Sequence, residues 1–114
     1  MTWNARSLFC KDMGKLRRKI HLIHKLCMNA DIFCLQQVRG FWTHVNKHLI
    51  KLQETFSIYA SFLGGNTGGV LTIVSKKHVP LQSSISPEEI VKGRVLHLKI
   101  SGDDGYQIIY NVHN

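Results

Sequence analysis

Residues 30–40 read Ala-Asp-Ile-Phe-Cys-Leu-Gln-Gln-Val-Arg-Gly. An apolar run, Ile32 to Leu35, stops at two amides, a valine and an arginine. The pattern predicts a buried strand over 31–37 whose C-terminal tip opens onto a surface. In α/β proteins ligands bind outside such tips. Short apolar runs are common, however, and a core strand followed by an ordinary loop fits the same residues. The flanking sequence has to decide between the two.

Upstream, residues 2–4 read as a short strand, and Met13, Leu16, Ile20, Ile23 and Cys27 then recur at helical spacing. The opposite face of that helix carries Lys15, Arg17, Arg18, Lys19, His21 and Lys25, which read as a solvated basic surface. Asn29 is the expected stop. Downstream, Trp42, Val45, Leu49, Leu52 and Phe56 predict a second helix over about residues 43–54. His44 and His48 stand one turn apart on it, but Val45 occupies the place where a zinc protease has its glutamate, so they read as a surface pair. Alternation predicts strands over 57–62, 70–75, 93–100 and 106–112. Gly64-Gly65-Asn66-Thr67-Gly68-Gly69 lacks the Gly-Lys-Ser/Thr ending of a phosphate loop and precedes a strand, so it reads as a tight connection. Residues 76–91 read as loop, with a short edge strand near 79–85. Ser101-Gly102-Asp103-Asp104-Gly105 is a hairpin turn and makes its two strands antiparallel.

With 114 residues the chain has room for one small domain. At 44% hydrophobic and 9% aromatic it can build a core, which excludes wholesale disorder. Lys plus Arg is 15 against 7 Asp plus Glu, a formal charge of +8 that favours polyanionic partners. Cys10, Cys27 and Cys34 are odd in number and none forms a C-x-x-C pair, which argues against a disulfide framework or zinc ribbon. They read as small buried hydrophobes in a reducing compartment. No signal-peptide core is present and no segment approaches the roughly 18 apolar residues of a membrane span. The expectation is a soluble, intracellular protein, nuclear or cytoplasmic, or a piece of one.

Three strand ends carry amide, imidazole or guanidinium groups: Trp3-Asn4-Ala5-Arg6, Leu35-Gln36-Gln37-Val38-Arg39 and Tyr110-Asn111-Val112-His113-Asn114. In this order and at these separations they resemble the endonuclease/exonuclease/phosphatase superfamily, the DNase I-like nucleases and their relatives. The blocks TWNARSL (2–8), ADIFCLQQVRG (30–40), GGVLTIVS (68–75), GRVLHLKI (93–100) and IIYNVHN (108–114) look most like non-LTR retrotransposon endonuclease domains. The resemblance implies that residues 1–114 are a partial domain, the N-terminal half of a DNase I-like α/β sandwich. It would have one mostly antiparallel or mixed sheet with two helices on one face. An apolar sheet face would stay uncovered until a C-terminal half or a partner docks on it.

The resemblance further implies magnesium-dependent hydrolysis of nucleic-acid phosphodiesters. Carried over by position, Asn4 and His113 are the catalytic candidates. Gln37 falls where the family has its metal-binding glutamate. Arg6, Arg39, Arg94 and Asn111 are the candidates for holding nucleic acid. Two departures matter. Gln37 is an amide with no charge to balance a dication, and the family's later Asp-x-Asn and Asp-His motifs are not in these residues. The isolated chain is therefore expected to be inactive. The alternatives are a non-catalytic basic nucleic-acid-binding module or a degenerate relic.

Overall fold

The apolar run at Ile32–Gln36 (β2) is a strand inside a four-stranded sheet in the computed structural model, which describes residues 1–79 and 84–113. The short strand Thr2–Asn4 (β1) pairs with it in parallel, Trp3 opposite Leu35. On its other side Val70–Ser75 (β4) runs antiparallel, Leu35 opposite Leu71, and Phe56–Ser61 (β3) closes the order β1-β2-β4-β3. β4 is buried along its whole length, which is why it reads as an unbroken apolar and β-branched run.

The period-2 alternation of β2 and β4 sends side chains to two cores. Phe33, Leu35, Leu71 and Ile73 face the helices and pack with Ile23, Cys27, Val45 and Leu49. The helix Met13–Cys27 (α1) starts where Asp12 accepts hydrogen bonds from the N–H groups of Gly14 (3.0 Å) and Lys15 (3.2 Å). Those bonds, that of Lys15 foremost, hold the Asp12 carboxyl below the usual carboxylate range. Met13, expected on the apolar face, is instead 52% exposed. The second helix is shorter than its periodicity predicts. It spans Trp42–His48 (α2), and after a break the chain makes one 3₁₀ turn at Leu52–Glu54. That turn still points Leu52 inward, so the apolar spacing continues through the break and conceals it.

Behind the sheet's other face lies a second one. Ile85–Val91 (β5), Val95–Gly102 (β6) and Gly105–Val112 (β7) form an antiparallel sheet in the order β5-β6-β7. Leu96, Leu98 and Ile100, with Val79 and Ile85, cover Val70 and Val74. The expected single sheet is thus two sheets packed face to face, because the alternating 95–102 and 105–112 strands bring an apolar face of their own. The expected uncovered sheet face is correspondingly filled. β7 presents a row of exposed apolar side chains, Tyr106, Ile108, Tyr110 and Val112. The region expected to be loop over 76–91 holds strand β5. Pro87 is tolerated there because an edge strand needs no ladder bond on its free side. Residues 80–83 of the expected 79–85 edge strand lie outside the described residues.

The three cysteines are free. Burial pushes the Cys27 thiol up to about 11 and raises that of Cys34. Among the described residues no helix is long and apolar enough to cross a membrane.

The β5–β6 turn is locked onto the β3–β4 connection. Gly93 has φ +70°, and a Cβ there would lie 2.5 Å from the Leu63 Cβ. Gly105 also has φ +136° but faces open space. Gly93→Ala is expected to destabilise the fold by at least about 1–2 kcal/mol more than Gly105→Ala. Paired urea melts check this, and equal losses would contradict the contact.

Candidate functional site

The C-terminal tips of β1 and β2 are held together by their own backbone. The Ala5 N–H donates to the Gln36 carbonyl and the Ser7 N–H to the Gln37 carbonyl, each at 2.8 Å. Four residues that are not glycine have left-handed φ here: Arg6 (45°), Ser7 (67°), Gln37 (53°) and Arg39 (50°). Each such residue costs roughly 1 kcal/mol or more, and such strain collects at functional sites. Two supports hold the conformation. Lys19 leaves the basic face of α1 and donates to the carbonyls of Ala5 (2.9 Å), Arg6 (2.7 Å) and Ser7 (3.2 Å). The glycine turn accepts the Val38 N–H on the Gly69 carbonyl and the Arg39 N–H on the Gly68 carbonyl, both at 3.1 Å. That turn is therefore a brace for the β2 tip. A side chain at Gly69 would meet the Arg39 nitrogen at 3.0 Å.

The tip of β7 arrives over this frame. Asn111 is 1% exposed. Its Oδ1 accepts from Gln36 (2.8 Å), while its Nδ2 lies against the carbonyls of Leu35 (3.2 Å) and Leu71 (3.0 Å) and the Thr72 hydroxyl (3.1 Å). Asn111, expected to touch nucleic acid, is buried between the sheets with its whole amide engaged, so it has no edge to offer a ligand. Its effect is to place His113, two residues on.

His113 lies with the Gln37 amide 3.0 Å from its Nε2 and Arg94 Nη1 3.3 Å from its Nδ1. Arginine is a donor only. The atom of Gln37 nearest the ring is its Nε2, a donor like the Arg94 guanidinium, so the neutral ring accepts one of these two hydrogen bonds on its unprotonated nitrogen. The result is a cluster in which two donor side chains flank one imidazole. The residues expected from the sequence at 37, 94 and 113 thus meet at one point.

The other expected residues sit at the same end of the fold but outside that contact. The Asn4 Oδ1 accepts from the Arg6 N–H at 3.1 Å, which closes the turn after β1. Arg39 donates to the Ser7 hydroxyl at 3.0 Å, and its Nε is buried with no partner among the described residues. Ser7 and Lys19 were not legible as site residues, because nothing in the sequence marks Arg6 and Ser7 as left-handed. His44 and His48 are packing residues. Both stack on Phe9, and the His44 Nδ1 accepts the Phe41 N–H at 3.0 Å.

The chemistry of this cluster does not fit magnesium. That cation is held by oxygen ligands, usually carboxylates, in near-octahedral geometry. Gln37 is a neutral amide whose Nε2 faces His113, beside the guanidinium of Arg94. Among the described residues no group of three or more His, Cys, Asp or Glu is placed to hold a metal ion. A cationic and amide-lined cluster without carboxylate suits an anion instead.

No family model and no curated protein matches the chain. A solved structure does: the crystal structure of the AP endonuclease LMAP from Leishmania major superposes with a TM-score of 0.63 at 18% sequence identity, covering 98% of this chain. The two-sheet sandwich with its two helices thus has the fold of a DNase I-like nuclease in part, the chain spanning 38% of that enzyme's length.

Proposed function

We propose that this chain is part of an endonuclease/exonuclease/phosphatase-type domain of the retrotransposon kind, in a reducing intracellular compartment, that holds nucleic acid by its phosphates and does not cut it unaided. The observation that carries the reading is the Arg94–His113–Gln37 cluster at the strand tips, three side chains with no carboxylate among them. A guanidinium that gives one N–H to an imidazole keeps others for phosphate oxygens. The formal charge of +8 draws a polyanion to the surface on which that group sits. Asn4, through its bond to the Arg6 N–H, sets the turn that bounds the site.

The same geometry supports inactivity. Phosphodiester hydrolysis needs a base for water and charge to stabilise the leaving oxygen. Both ring nitrogens of His113 face donor side chains, and among the described residues no carboxylate stands in the cluster to activate water. A C-terminal portion or a partner chain, docking along the apolar outside of β7, would have to supply those groups.

Three outcomes follow. Incubated with supercoiled plasmid in magnesium, the purified chain leaves it as intact as the EDTA control; robust nicking would overturn the reading. Duplex DNA binding in EDTA weakens steeply with salt, and Arg94→Ala lowers the magnitude of the slope of log K against log salt by about 1. A flat salt dependence, or a slope indifferent to Arg94, would remove the phosphate contact. Gln37→Glu introduces the missing charge, so calorimetry should show magnesium binding gained over the natural chain while affinity for DNA in EDTA falls several-fold. Unchanged magnesium binding would show that the β2 tip is misassigned as the metal-facing position of the fold.

A further inference from the structure

Beside this cluster lies a cleft that the phosphate contact does not use. It has a volume of about 300 Å³ and is lined by Phe41, Trp42, Phe62, Leu63, Glu89 and Lys92. Its walls mix charged groups with large apolar side chains that stand open to solvent, Phe41 49%, Trp42 44% and Leu63 43% exposed. The backbone puts them there. A side chain at Gly40 would meet the Phe9 ring at 2.6 Å, so only glycine lets the chain pass over Phe9 and turn the next two aromatic residues outward. Trp42 then meets Phe62 in a T-shaped contact, with ring centroids 5.8 Å apart, and stays 44% exposed.

The cleft adjoins the His113 cluster through the β5–β6 turn. Lys92 lines it, Gly93 packs on Leu63, and Arg94, the next residue, touches His113. Glu89, held by the Ser61 hydroxyl at 2.5 Å, is the one carboxylate of the lining. It repels a phosphate inside the cleft but accepts from a base amino group. Aromatic walls next to a phosphate-binding cation form the stacking platform that single strands use. In a duplex the bases are already stacked on each other and cannot enter without being unstacked.

We infer that the Phe41–Trp42–Leu63 cleft receives an unpaired base whose neighbouring phosphate rests on Arg94, so that the chain prefers single-stranded nucleic acid to duplex. This rests on the phosphate-holding reading above and adds to it the state of the strand.

The test is fluorescence anisotropy in EDTA with short dye-labelled oligo(dT), oligo(rU) and a hairpin duplex of matching length, with tryptophan emission followed in parallel. At least one of the single strands should bind tenfold or more tightly than the duplex and quench tryptophan emission. Which of oligo(dT) and oligo(rU) binds tighter separates DNA from RNA. Phe41→Ala should weaken single-strand binding roughly five- to a hundredfold and leave duplex binding unchanged, with Phe41→Tyr restoring it. Trp42→Ala should abolish the quench, and circular dichroism of each variant shows whether it remains folded. Lys92→Ala, whose exposed side chain is not needed for folding, gives an independent weakening of the single-strand complex. Equal affinity for duplex and single strand, or indifference to Phe41→Ala in a folded protein, would overturn the inference while leaving the phosphate contact standing. Association of the chain with itself through these aromatics, lost in Phe41→Ala without change in nucleic-acid affinity, would likewise overturn it. No binding to any oligonucleotide would take down the phosphate reading as well.

Discussion

The arrangement depends on one buried amide. Asn111 comes from the second sheet and reaches across the interface to four groups on the first. Two packed apolar faces can slide by a residue at small cost, whereas an amide inserted between the facing residues Leu35 and Leu71 fixes the offset. A side chain buried to that depth without partners would cost on the order of 1–3 kcal/mol. The bonds thus do more to define the register of the two sheets than to add net stability. Gln36, tied to both Asn111 and Thr2, extends the same constraint to β1.

Once that register is set, the chemistry at the strand tips follows. His113 can only fall where the Asn111 anchor leaves it, over Gln37 and against Arg94. The left-handed backbone after β1 is held by the Lys19 side chain, and that at the tip of β2 by the glycine turn. Strain, buried polar bonds and positive charge coincide at this one end. The opposite end of β2 carries Asp31, within 3.8 Å of the His78 imidazole, and has no comparable strain. Residue 37 brings an amide and no negative charge to that tip.

Much of the fold was legible because its signals are local. The 31–37 strand, the α1 helix and the 70–75 strand are each written in a periodicity or an unbroken apolar run, whereas the Asp12 cap of α1 came only with the structure. The second sheet was harder. Its strands alternate like those of the first, and nothing in a period of two says which sheet a strand joins. The break in α2 was hidden because Leu52 keeps its helical spacing. At the site, Gln37, Arg94 and His113 were found through motif resemblance. Asn111 was placed with the ligand-binding residues because a motif shows neighbours in sequence and not depth of burial. Ser7, Lys19 and the outward turn of Phe41 and Trp42 depend on positive φ values and on close packing over Gly40, which a single sequence does not display.

The central claim is that the strand tips hold phosphate through Arg94, beside His113, without a metal ion. Titrating a ¹⁵N-histidine-labelled chain with inorganic phosphate in EDTA tests it most directly. The account predicts that the ring nitrogens of His113 shift and saturate while those of His44 and His48, stacked on Phe9, stay in place. Magnesium added afterwards should change nothing. A His113 signal that does not move, or that moves only after magnesium is supplied, would contradict the account.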